Sequence, residues 1–196
     1  MSALTPGPDG EEGLFAAPVG ADPVAREFTL TDGHEGLIWP LLTSDRRTTQ
    51  EGFLRLSDKS RYDRFLNSLP RLSERLLDTL VTEVDGEDHV ALVALVLPDN
   101  APEQLAGIAR MVRYPDQPDA ADLAVTVLDD WQRKGVASAL LDELLRRRPV
   151  GVVRVVTYVN PQNRASLALM KRLGRASVTR EGPGASLVVV ELEPVA

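Results

Sequence analysis

The sequence predicts one α/β domain built on a mixed central sheet flanked by helices. Two observations lead there. Residues 89–97 form a nearly continuous apolar, β-branched run, the pattern of a strand buried on both faces. Residues 121–148 then run strand, tight loop and amphipathic helix, and the alternation of strand and helix continues behind them. A chain of 196 residues is long enough to bury a core of this kind as one domain plus a tail.

In chain order, residues 1–26 read as a flexible tail, because the first 25 carry four Pro and four Gly with almost no apolar periodicity. The domain is expected over 27–196. Residues 36–41 read as a short first strand, edged by Pro40. Thr43 or Ser44 can cap a helix towards Leu56, and Ser57 can cap the next, in which Tyr62, Phe65, Leu66 and Leu69 recur at helical spacing. Residues 72–84 give a third helical pattern through Leu76, Leu77 and Leu80. Asp99-Asn100-Ala101-Pro102 turns the chain from strand 89–97 into a partner strand at 107–113. Residues 121–128 are a strand. In the helix 135–148, Val136, Ala137, Leu140, Leu141, Leu144 and Leu145 form the inner stripe, with Asp142, Glu143, Arg146 and Arg147 opposite. A strand at 152–159 follows, and Asn160-Pro161 opens a helix with Asn160 as its cap. Gly174 fits that helix's C-terminal cap, and residues 176–180 and 186–192 close as a hairpin around Gly182-Pro183-Gly184.

Composition excludes several functions. The net charge of −7 argues against nonspecific nucleic-acid binding, which wants a basic surface. No apolar run approaches the roughly 20 residues of a membrane helix, and no signal peptide is expected. Absence of cysteine removes thiol nucleophiles and thiolate metal sites, and fits a cytoplasmic setting. His34 and His89 are isolated in sequence, so no metal site is expected.

The stretch with most chemical content is Val125-Thr126-Val127-Leu128-Asp129-Asp130-Trp131-Gln132-Arg133-Lys134-Gly135-Val136-Ala137-Ser138. A strand entering a tight loop and then a helix points several backbone N–H groups at one spot, reinforced by the helix dipole. Gly135 and Ala137 lack bulk, while Arg133 and Lys134 add positive charge. The pattern reads as a cradle for a diphosphate, although neither the Walker spacing nor G-x-G-x-x-G is present. Its other reading is a plain helix–strand unit whose small residues allow close packing.

Gln132-Arg133-Lys134-Gly135-Val136-Ala137 resembles the Q/R-x-x-G-x-G/A pyrophosphate loop of the GNAT superfamily of acyl-CoA-dependent N-acyltransferases. Val159 to Ser166, then Leu173-Gly174, is similar to that family's second half, and the resemblance covers roughly residues 36–192. It implies a sheet splayed at the cofactor site and acetyl-CoA as acyl donor. On that resemblance the backbone of Val125, Thr126 and Val127 would pair with the pantetheine arm. The amides of Arg133, Lys134, Gly135, Val136, Ala137 and Ser138 would hold the pyrophosphate. Asn163 would hydrogen-bond the cofactor, helix capping being its other reading. Leu56-Ser57-Asp58-Lys59-Ser60-Arg61-Tyr62-Asp63-Arg64-Phe65 further resembles a segment of bacterial Pat-type protein lysine acetyltransferases. This implies a protein lysine as acceptor, with acyl-CoA-forming metabolic enzymes as targets. A net negative chain could attract such a lysine-bearing surface. Two departures stand out: the position of the family's Tyr general acid is Met170, and the aromatic after the helix-ending glycine is Arg175.

A lysine acceptor has a pKa near 10.4, so freeing its lone pair at pH 7 costs roughly 4–5 kcal/mol and calls for a base. Asp122, where Pat-type enzymes carry a Glu, is the candidate. Strand alternation puts it on the face of Ala124 and Thr126, opposite Leu123, Val125 and Val127. With no Cys and no Ser beside a His, direct attack without an acyl-enzyme is expected. Two alternatives stay open: acetylation of a small amine such as an amino sugar or polyamine, and a catalytically silent acyl-CoA-binding module.

Overall fold

The apolar run becomes β3 (His89–Leu97), and its first eight residues are all buried because neighbouring layers cover both faces. In this computed structural model, residues 25–193 are described. Residues 1–24 of the expected tail lie outside them, and Arg26 already opens β1 (Arg26–Thr29). The sheet has the order β1-β2-β3-β4-β5-β6-β8-β7. Its further strands are β2 (Glu35–Pro40), β4 (Gln104–Tyr114), β5 (Gln117–Val127), β6 (Arg154–Val159), β7 (Gly174–Arg180) and β8 (Ser186–Leu192). All neighbours are antiparallel except β5 and β6, so the sheet is mixed as predicted.

The helices are α1 (Arg46–Arg55), α2 (Asp58–Phe65), α3 (Glu74–Leu77), α4 (Val136–Arg146) and α5 (Arg164–Lys171). Ser57 caps α2 as expected, accepting a hydrogen bond from the Ser60 amide. α4 packs on β3, β4 and β5. Gly107 of β4 permits this approach: a Cβ there would lie 3.1 Å from Leu140 and 3.3 Å from Val136. The opposite face of β4 and β5 carries Ile108, Arg110, Ala124 and Thr126, covered by residues of α1 and α2.

Several expectations are corrected. Thr43 and Ser44 do not cap α1 but lie in a 3-10 turn, Thr43–Asp45. The third helix shortens to α3, capped by Ser73 and followed by a π-helical turn, Asp78–Thr82. Glu143 is not on a solvated face. It is 6% exposed and ion-paired to Arg146, Arg147 and Arg26 of β1, a neighbour no helical wheel can supply. Gly174 does not cap α5 but starts β7, where a Cβ would lie 1.9 Å from the Glu191 carbonyl oxygen. Asn160 does not cap α5 either; Asn163 does, accepting from the Ser166 amide at 3.0 Å.

Asp45, buried beside the start of α1, accepts the Leu42 amide at 2.7 Å. Burial pushes its carboxyl up to about 6 despite that hydrogen bond. The folded state therefore holds the proton more tightly than the unfolded chain. Stability from this group is full below about pH 4 and is lost as pH rises through about 6. Asp45→Asn keeps an oxygen for the Leu42 amide and removes the titration. Urea denaturation should find the variant gaining on wild type by about 1–3 kcal/mol between pH 4 and pH 7. A difference that does not change with pH would refute a titrating Asp45.

Candidate active site

β5 and β6 pair at only two positions, Ala120 with Arg154 and Ala121 with Val155. Beyond them the strands part, and β6 continues its pairing with β8 alone. Thr157 donates its hydroxyl to the Leu123 carbonyl at 3.1 Å across the opening, so the backbone groups of Leu123 point into the gap. By strand alternation those of Val125 and Val127 do too, whereas Thr126 turns its peptide groups towards Ile108 of β4. Of the three residues predicted to offer backbone pairing, two face the opening and Thr126 does not. A groove of about 750 Å³ follows this opening, well within the range of cofactor sites.

At one end of the groove lies the loop between β5 and α4. Arg133 and Gly135 hold left-handed backbone conformations, with φ of 63° and 98°, and these turn the chain into the helix. The amides of Val136, Ala137 and Ser138 lack carbonyls four residues back within the helix. None of the described residues supplies them with another acceptor. This end can receive a diphosphate through backbone N–H groups. Of the two basic side chains expected there, only Arg133 lines the groove. Lys134 turns away to pair with Asp32 at 3.2 Å, its ammonium 4.6 Å from the centre of the Trp131 ring. The Val136 side chain is buried in the core, so Lys134 and Val136 can contribute only main chain. Ser138 accepts from Arg172 at 2.7 Å, a cation that the sequence reading had not singled out.

The other end is built by β5 and α2. Asp122 lies mid-strand, one residue past the last β5–β6 pair, on the predicted face. It shares the groove with Arg64, Tyr114, Asp63 and Lys59. Behind them Arg110 of β4 is 6% exposed, its Nη1 3.3 Å from the His89 Nε2. Burial, with the like charge of Arg64, pulls the Arg110 guanidinium down to about 9, still protonated at neutral pH. Burial and Arg110 also lower His89, which keeps it a neutral acceptor. Tyr114 donates its hydroxyl to the Val156 carbonyl at 2.9 Å, and burial beside Asp122 raises its pKa.

Two networks hold α2 across the groove. The Asp129 carboxylate accepts from the Ser57 amide at 2.8 Å, the Ser57 hydroxyl at 3.0 Å and the Ser60 hydroxyl at 2.8 Å. Burial alone would raise this carboxyl, but those donors hold it below the usual range. Gln132 ties the same cluster to β5, donating to Ser60, to Asp129 and to the Val127 carbonyl. At the far side Asp63 accepts from Asn160 at 2.6 Å and pairs with Lys59. Asn163 lines the groove, but its amide oxygen and nitrogen both engage Ser166, as a cap does. Met170 is buried against the groove and cannot donate a proton.

Residues 53–174 match the acetyltransferase (GNAT) family. The chain belongs to that family. This GNAT chain is 33% identical over 147 residues to an acetyltransferase of Pseudomonas aeruginosa, covering 74% of itself and 77% of that protein. It is 34% identical over 157 residues to the acetyltransferase Pat of Mycolicibacterium smegmatis, covering 80% of itself and 45% of that longer relative. Among solved structures, the GNAT domain of S. lividans PAT superposes with a TM-score of 0.73 at 25% identity. That match covers 86% of this chain and 97% of that one. Family and relatives make the protein an acyltransferase and confirm the predicted fold.

The space at Gly135 is open, with only Thr31 among the described residues within 4 Å of a built Cβ, but its φ of 98° disfavours any side chain. Gly135→Ala therefore carries the backbone strain alone, about 1–2 kcal/mol, and Gly135→Glu adds a negative group. Calorimetry with acetyl-CoA should show Gly135→Glu at least about a hundredfold weaker than Gly135→Ala, through like-charge repulsion of a diphosphate. Equal affinities in two folded variants would remove the phosphate cradle.

Proposed function

We propose that this GNAT acyltransferase moves an acetyl group from acetyl-CoA to the ε-amine of a lysine on a protein, with Asp122 as general base. The observation that carries this reading is the position of Asp122. It stands at the point where β5 leaves β6, at the opposite end of one groove from the free amides of α4. The likeness to relatives named Pat supports the protein acceptor.

The donor supplies an activated acyl carbon as a thioester. The peptide groups of Val125 and the amide of Val127, free of strand partners, offer hydrogen bonds to an extended arm lying in the gap, while Gln132 holds the Val127 carbonyl. Amides from Arg133 to Ser138 offer donors to its diphosphate, and Asn163 offers the amide capacity that Ser166 leaves over. At the acceptor end Asp122, directly or through a water, takes the proton that the amine gives up. The C–N bond forms as the C–S bond breaks, and the thiolate leaves with a proton from solvent. Met170 cannot provide it, and the Tyr114 hydroxyl is committed to the Val156 carbonyl.

Asp122→Asn should lower kcat at pH 7 by about 10²–10⁴, the usual contribution of a general base. Acetyl-CoA affinity should hardly change, and the deficit should shrink towards pH 10, where more amine is already free. An Asp122→Asn enzyme at full strength across that range, assayed on a lysine peptide, would defeat the assignment.

A further inference from the structure

At the Asp122 end of the groove, Arg64 is a charged side chain that the reaction leaves unused and that no ion pair engages among the described residues. It stands in the last turn of α2 and lines both the main groove and a small apolar pocket of about 50 Å³ behind it. No described residue gives it a hydrogen bond or an ion pair; its guanidinium carbon lies 4.8 Å from the Phe65 ring centre. Asp122, facing the same groove, likewise has no hydrogen bond or ion pair among the described residues. A carboxylate and a guanidinium thus share one cavity without reaching each other.

Charged groups taken out of water are normally paired, because loss of hydration is offset only by a partner. Burial acts on Arg64 as this predicts, lowering its pKa, and the Asp122 charge works in the opposite direction. The surrounding charges do not resolve the imbalance. Asp63 is neutralised by Lys59, His89 is a neutral acceptor and Tyr114 is un-ionised. That leaves Arg64 and Arg110 against Asp122, an excess of one positive charge where an ammonium has to arrive.

We propose that Arg64 binds a carboxylate carried by the acceptor, so that the enzyme selects an amine accompanied by a carboxylate. On a protein this means a lysine with an acidic side chain beside it. The inference rests on the acceptor end being the Asp122 end. The amine meets Asp122, the carboxylate meets the planar fork of Arg64, and the excess charge is balanced in the complex. A phosphate would fit less well, because its second charge would face Asp122.

The test uses two short peptides that differ only in a Glu or a Gln next to one lysine, together with free lysine, which has its own carboxylate. Wild type should prefer the Glu peptide by about tenfold to a hundredfold in kcat/KM, chiefly through KM, the size expected of one charge-assisted hydrogen bond. Arg64→Gln should erase that preference while binding acetyl-CoA as before. Equal use of the two peptides by wild type overturns the carboxylate site whatever the variant does, and leaves the lysine reading standing. Free lysine used better than both peptides, with the same dependence on Arg64, supports the site and overturns the protein acceptor. No turnover of any of the three overturns both.

Discussion

A strand that loses its neighbour halfway along a sheet exposes peptide groups that must find partners elsewhere, and this is the constraint on which the rest of the molecule depends. β5 is bound to β4 along its length but to β6 at two positions only. The opening is held from both sides. β6 is committed to β8 through six paired residues, and the Thr157 hydroxyl and Tyr114 phenol satisfy carbonyls that a continuous ladder would have paired. What remains is the peptide groups of Val125 and the amide of Val127, whose carbonyl Gln132 occupies, followed by the free amides in the first turn of α4. On the proposed reading, an extended donor with amide groups along it and a diphosphate at its end would pair with these groups.

The same opening would be a weakness if nothing spanned it, and α2 does. Ser57 and Ser60 anchor its first turn to Asp129 beside the loop that leads into α4, while Asp63 anchors its later turns to Asn160 at the end of β6. The helix therefore ties together the two strands that part beneath it. This gives the Ser57–Ser60 spacing a physical meaning: one turn of helix presents an amide and two hydroxyls to a single carboxylate. It also fixes Arg64, one residue beyond Asp63, over the groove.

How much of this was legible depends on whether the signal is local. The run 89–97 and the inner stripe of α4 reveal their elements because burial and periodicity are written into neighbouring residues. The parallel β5–β6 contact and its early end are not written there. β1 was missed because Arg26-Glu27-Phe28-Thr29 has no apolar alternation and is a strand only through pairing with β2. Asn160 looked like a cap because Pro161 follows it, yet its side chain is drawn to Asp63, 97 positions away, and Asn163 takes the cap. Lys134 misled in the same way, since Asp32 and Trp131 claim it from another part of the chain. In the loop the backbone conformation is easier to read than the side-chain placement, because conformation at Gly135 is local and side-chain pairing is not.

The charge of the whole chain and the charge at the Asp122 end of the groove point in opposite directions. A net charge of −7 suggests that a lysine-bearing surface would be drawn in at long range. At contact range the groove offers Arg64, with the buried Arg110 behind it, against Asp122, and low-dielectric surroundings make the nearer charges count for more. The two scales are compatible if they act at different stages. The distant field, screened over about 8–10 Å in physiological salt, can influence encounter. On the proposed reading, partly buried groups, screened much less, would decide which amine is held beside Asp122. Selection would then be made by what accompanies the amine, since every lysine side chain presents the same ammonium.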